Sequence, residues 1–163
     1  MPVVSDADVI IHLSKLRKLS LLRILYSEIN IPKYVETELS GKTNEDIKEA
    51  LGSLLRVHPT SAEDAEKIAN RHGIHTGEAH VKALGEKLEA QLFLSNERKV
   101  RLAAKEEGFK VAGTIGIILK AAKSGKIEKS EAHALLERMK AEDFRIQPDL
   151  IQEALSVVEE IGL

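Results

Sequence analysis

Carboxylates recur in this sequence directly after short apolar runs or at the opening of helical patterns. Asp6 and Asp8 follow Val3-Val4-Ser5, and Glu38 closes the segment begun by Ile29-Asn30-Ile31. Glu78 follows Thr76-Gly77, and Glu97 follows Leu92-Phe93-Leu94-Ser95-Asn96. Held together, such acids repel one another and keep their protons. A cation relieves that repulsion, and an all-oxygen donor set points to Mg2+ or Mn2+ rather than zinc. One or two such ions activate water and stabilise in-line displacement at phosphorus. The chemistry is therefore hydrolysis of a phosphodiester or a phosphomonoester. Each acid alone also has a plainer reading. Asp6 or Asp8 can cap a helix, Glu78 and Glu97 can sit at a helix dipole, and Glu38 can be a solvated surface residue. The set, not any member, carries the functional argument.

The elements that must position this set are short strands alternating with helices. Strand patterns fall at residues 3–5, 29–31, 55–58, 91–95 and 110–112. Apolar residues recur at helical spacing at Ile47, Ala50, Leu51 and Leu54, at Val81, Leu84 and Leu88, at Ala132, Leu135, Leu136 and Met139, and at Ile151, Ala154, Leu155 and Val158. Alternation of this kind predicts an α/β fold with a mostly parallel sheet covered on both faces. Ligands then bind outside the carboxyl ends of the strands, where the acids follow. Pro32 is expected at a first helical position, Thr43, Thr60, Thr76 and Thr114 as caps, and Gly108 and Gly125 as helix stops. Neither G-x-G-x-x-G nor G-x-x-x-x-G-K-[ST] occurs, which argues against dinucleotide and P-loop chemistry.

Composition narrows the field further. The 163 residues suit a single domain over 1–163. No cysteine is present, so disulfides, thiolate metal sites and Cys nucleophiles are excluded. Aromatics are 3% of the chain, too few for a base-stacking platform. No apolar run approaches the ~20 residues of a membrane span, and no basic, apolar leader opens the chain, so a soluble cytoplasmic protein is expected. The formal net charge is −2, but residues 97–126 carry eight Lys/Arg against three Glu and the remainder is net acidic. Arg98, Lys99 and Arg101 lead that basic segment and could hold a nucleic-acid backbone. His72, His75 and His80 lack the helical i, i+4 spacing of a zinc pair and are expected at the surface or in loops. The leucines at 13, 16, 19, 21, 22 and 25 exceed what one small core needs, which suggests an interface.

The ordered segments resemble the PIN-domain family, in particular toxin ribonucleases of the VapC type in the branch with a G-T-x-G helix start. Val3-Val4-Ser5-Asp6-Ala7-Asp8-Val9-Ile10 looks like the family's opening strand. Ile29-Asn30-Ile31-Pro32 through Val35-Glu36-Thr37-Glu38-Leu39 is similar to its second strand, helix and "V-x-x-E-L" glutamate. Thr76-Gly77-Glu78-Ala79 resembles its "G-E-A" helix start, and Gly113-Thr114-Ile115-Gly116 resembles its "G-T-x-G". The resemblance spans nearly the whole chain. It implies a three-layer α/β/α sandwich and an endoribonuclease that cleaves RNA with Mg2+ or Mn2+. Asp6, Glu38, Glu78 and Glu97 would form the acidic quartet, with Asp6, Glu78 and Glu97 as metal ligands. Thr114 would orient water or a phosphate oxygen. Asn96-Glu97 replaces the usual Asp pair, and Asp8 stands where a small residue is common; Asn96 and Asp8 would act behind the ligands. An antitoxin partner and a homodimer are implied as well. The alternatives are a degenerate PIN domain that binds RNA or protein without cutting, and a haloacid-dehalogenase-type phosphatase using Asp6-x-Asp8.

Overall fold

A computed structural model describes residues 2–41, 44–106, 108–142 and 144–162. The chain divides into two compact units, Met1–Gly113 and Thr114–Leu163. The first holds five strands: β1 Val3–Ser5, β2 Ile29–Pro32, β3 Leu55–His58, β4 Leu92–Leu94 and β5 Lys110–Ala112. Its helices are α1 Ala7–Lys15, α2 Ser20–Tyr26, α3 Lys33–Ser40, α4 Glu45–Leu51, α5 Ala62–His72, α6 Thr76–Lys87 and α7 Arg98–Glu106. The second unit holds α8 Thr114–Lys123, α9 Lys129–Ala141 and α10 Pro148–Glu160, each burying the stripe its sequence shows. The tail at Phe144-Arg145-Ile146 leads into α10, with Phe144 buried.

The sheet is parallel throughout, in the order β3-β2-β1-β4-β5. Its inner strands are buried end to end: β1 reads Val-Val-Ser, β2 Ile-Asn-Ile-Pro and β4 Leu-Phe-Leu. Continuous burial is what a parallel sheet with helices on both faces demands. Asn30 is the polar exception inside β2. Its amide donates to the Val3 carbonyl at 3.1 Å, and its Oδ1 lies 2.8 Å from His58 Nε2. Right-handed crossovers place α1–α4 on one face and α5–α7 on the other. Contacts agree, since α1 meets α3 and α4 while α5 packs on α6. The first unit is thus a three-layer α/β/α sandwich.

Strand positions agree with the periodicity to within a residue at each end. The helix starts do not. Pro32 ends β2 and stands at the N-cap of α3, one position earlier than its fixed φ suggested. Ser61, not Thr60, caps α5 by accepting the Asp64 N–H. Asn44 caps α4, while Thr43 lies outside the described residues. Thr76 and Thr114 are first helical residues rather than caps. Gly108 and Gly125 do end helical segments with positive φ. His72 and His80 lie in α5 and α6, and His80 is buried, so they are not loop histidines. Of the six leucines read as surplus, Leu13, Leu16, Leu19, Leu21 and Leu22 are buried in this chain, while Leu25 is half-buried beside the exposed Ile24. Among the described residues, no helix is long and apolar enough to cross a membrane.

Candidate acidic site at the strand ends

The direction of strand order reverses between β1 and β4, and a parallel sheet binds its ligands outside that point. The backbone is stitched together there. The Asp6 N–H donates to the Leu94 carbonyl at 3.1 Å, and the Ser95 N–H to the Ala112 carbonyl at 2.9 Å. Asp6 therefore leaves β1 alongside the residues that leave β4. It has extended backbone and caps α1, its carboxylate accepting the Val9 N–H at 3.2 Å. The plain capping role and the candidate functional role belong to the same side chain.

A pocket of about 70 Å³ opens at this edge, lined by Asp6, Ala7, Asp8, Val35, Glu38, His75, Gly77 and Glu78. Four of the expected acids are thus brought together. Asp6 is 6% exposed, Glu78 is half-buried, and Asp8 and Glu38 are exposed. Glu97 does not line the pocket, but its charge reaches Glu78. Burial pushes the Asp6 carboxyl up from 3.8 to about 7. Hydrogen bonds from Ser95 and the Val9 N–H pull it back, and the charges of Asp8 and Glu78 push it further up. Glu78 is also raised, first by burial and then by Glu97 and Asp8, against the hydrogen bond from the His75 N–H.

Three residues that the sequence reading did not place in the site hold it in shape. Ser95 is fully buried; its hydroxyl bonds to the Asp6 carboxylate and accepts the Glu97 N–H at 3.1 Å. His75 caps α6 through Nδ1, which accepts the Gly77 N–H at 3.1 Å, while its own N–H donates to Glu78 Oε2 at 2.9 Å. That is a capping box, and its signal was in the sequence: Glu stands three residues after His75, not after Thr76. Tyr34 of α3 lies against Gly77. Asn96 lies 3.0 Å from His12 Nδ1 of α1. A side chain at Gly113 would begin 2.6 Å from Asn96 Oδ1 and 3.3 Å from the Ser95 carbonyl, so any larger residue there would displace the Asn96 amide.

The remaining expected residues fall elsewhere. Arg98 and Lys99 are exposed and Arg101 half-buried in the first turns of α7, directly after Glu97. Thr114 opens α8 and is fully buried, and the residues that line the pocket all belong to the first unit. The donor chemistry fits a hard divalent cation, since every anionic group in the pocket is a carboxylate and the most buried one is held near neutral pH. Among the described residues, no three His, Asp or Glu side chains converge at ligating distance; the acids ring the pocket.

A parallel α/β/α sandwich with acids at its switch point defines a fold of the nuclease type. The chain belongs to the PIN-domain family DUF3368, whose model matches residues 2–160. PIN domains are in general nucleases that work with divalent metals. In structure the chain is similar to PAE2754 from Pyrobaculum aerophilum, known from a crystal structure. The two are 13% identical with a TM-score of 0.53, over 75% of this chain and 97% of that one, a likeness of fold alone. No curated protein matches the chain in sequence.

Proposed function

We propose that this PIN domain is an endoribonuclease that hydrolyses RNA phosphodiesters with Mg2+ or Mn2+ at the pocket of Asp6, Asp8, Glu38 and Glu78. The observation that carries this reading is the buried Asp6 carboxyl, raised to about 7 beside further acids at the sheet's switch point. Carboxylates raised by burial and by one another are concentrated at functional sites, where a cation or a proton is used. Asp6, Glu78 and Glu97 would hold the ion, with Glu38 and Asp8 completing the negative field. When bound, the ion supplies an activated water and charge stabilisation at phosphorus. Ser95 orients Asp6, and the His75 N–H orients Glu78. Arg98, Lys99 and Arg101 offer cations to the RNA backbone beside the acids. In a cell this activity suits the toxin of a toxin–antitoxin pair, held by an antitoxin protein.

Cleavage of RNA by wild type with Mg2+ or Mn2+, lost with EDTA and in Asp6→Asn, is the expected result. Equal cleavage by both proteins overturns the reading. A second reading draws on Asn96, which stands where the family usually has Asp and is bonded to His12. In that case the domain binds RNA without cutting, and wild type and Asp6→Asn bind it alike with no product.

A further inference from the structure

The contact between α3 and α6 is made by a ring and a missing side chain. Tyr34 and Glu38 are four residues apart and share one face of α3; Gly77 and His80 are three apart and share one face of α6. The Tyr34 ring stacks on His80, with centroids 5.0 Å apart and planes at 17°. His80 is buried, and its Nδ1 lies 2.6 Å from the Thr60 hydroxyl. The ring is thus backed by a side chain that is itself held. One turn earlier on the same face of α6, its Cε1–Cδ1 edge meets the bare backbone of Gly77. A methyl group there would lie 2.7 Å from Tyr34 Cε1, 3.1 Å from Cδ1 and 3.4 Å from Glu38 Oε1. The first distance is shorter than real Cβ contacts allow, so either the ring leaves its stack on His80 or α3 and α6 move apart.

We infer that Tyr34, backed by His80 and Thr60 and seated on Gly77, is the positioning residue that sets the gap between α3 and α6 and so holds Glu38 within reach of Glu78. The two acids come from different helices, and the α3–α6 gap decides how far apart they stand. Glycine at 77 lets α6 close on the ring, and Glu38, on the ring's own face, is carried to the pocket wall. Groups that surround a metal's ligands without touching the ion change affinity by about 10–100-fold when altered, and Glu38 is such a group here. The inference rests on the metal reading above.

The test is Mn2+ titration by calorimetry, with metal-free thermal unfolding as the check on folding. Gly77→Ala is expected to bind Mn2+ at least about tenfold more weakly while still unfolding cooperatively. Tyr34→Leu alone is expected to weaken binding too, because Glu38 loses its shelf. The double variant Gly77→Ala/Tyr34→Leu is expected to recover much of the loss, since the methyl fills space the ring has left. Affinity in a folded Gly77→Ala equal to wild type overturns the inference, as does a double variant no better than Gly77→Ala. If Gly77→Ala fails to fold, His80→Ala tests the ring by removing its stacking partner, and undiminished affinity there overturns it as well. A wild type that binds no Mn2+ fails the metal reading and takes this inference with it. Mn2+ binding in wild type with no effect of the variants fails the inference alone.

Discussion

At the scale of single residues, Asp6 carries opposing demands. Its unfolded pKa is near 3.8 and burial raises the folded one to about 7. Below the lower value both states hold the proton and nothing is gained or lost. Between the two, the unfolded chain releases a proton that the folded one retains, so stability falls as pH rises. Above 7 the loss is complete. Asp6→Asn removes it while keeping a good capping residue, so the metal-free variant should be more stable than wild type by about 1–3 kcal/mol at pH 8 and nearly equal at pH 4. Urea unfolding at the two pH values measures this, and a less stable variant at pH 8 would contradict it. Glu97 can be judged through its neighbour. Its charge helps hold Glu78 up, so in Glu97→Gln the Glu78 carboxyl should titrate lower by NMR; an unmoved titration would remove Glu97 from the cluster. Asp6, Asp8, Glu78 and Glu97 were legible in the sequence because each follows a strand or opens a helix, whereas Glu38, late in α3, stood out only through the family resemblance. Ser95, His75 and Tyr34 were not, because their roles come from contacts with residues far along the chain, and a Ser, a His or a Tyr in isolation says nothing about them.

At the scale of elements, the five strands were legible because inner strands buried on both faces must be apolar runs, and turn residues bound them. Helix starts were harder. A Thr near a helix looks like a cap whichever position it takes, and four candidates were read so, whereas Ser61, His75 and Asn44 do the capping. The case of α6 shows the cause. His is an uncommon cap, and only the Glu three residues later distinguishes it from its Thr neighbour. This helix is also the one that carries Glu78, so its cap and the site share a structure. His75→Ala should destabilise the protein by about 1 kcal/mol through the lost Gly77 N–H acceptor, and His75→Asn should recover most of it. Chemical unfolding of the three proteins decides; equal stability of His75→Ala and wild type would show that the box contributes nothing.

At the scale of the molecule, the near-neutral total charge hides a basic stretch over residues 97–126, and nothing in the composition marks the point after Gly113 where the second compact unit begins. The leucine-rich run is read better on its elements: a count of leucines does not say how many helices must be covered, and five of the six are buried along α1, α2 and their junction. The charge pattern is more telling when set on its element. The first turn of α7 holds no acid and instead carries Arg98 and Lys99, with Arg101 just beyond, at the positive end of the helix dipole. That placement costs about 0.3–1 kcal/mol per cation in local helix stability. On the proposed reading an external anion offsets that cost, since a nucleic-acid backbone crossing the strand ends would meet these cations. Three such contacts should steepen the salt dependence of single-stranded RNA binding by about 0.7 each. In an Asp6→Asn background, where RNA stays whole, changing Arg98, Lys99 and Arg101 to Ala should therefore flatten the plot of log affinity against log salt by about 2. Affinity measured by fluorescence anisotropy between low and moderate salt gives the slope. An unchanged slope would place the RNA backbone elsewhere on the protein, whatever happens to the affinity at a single salt concentration.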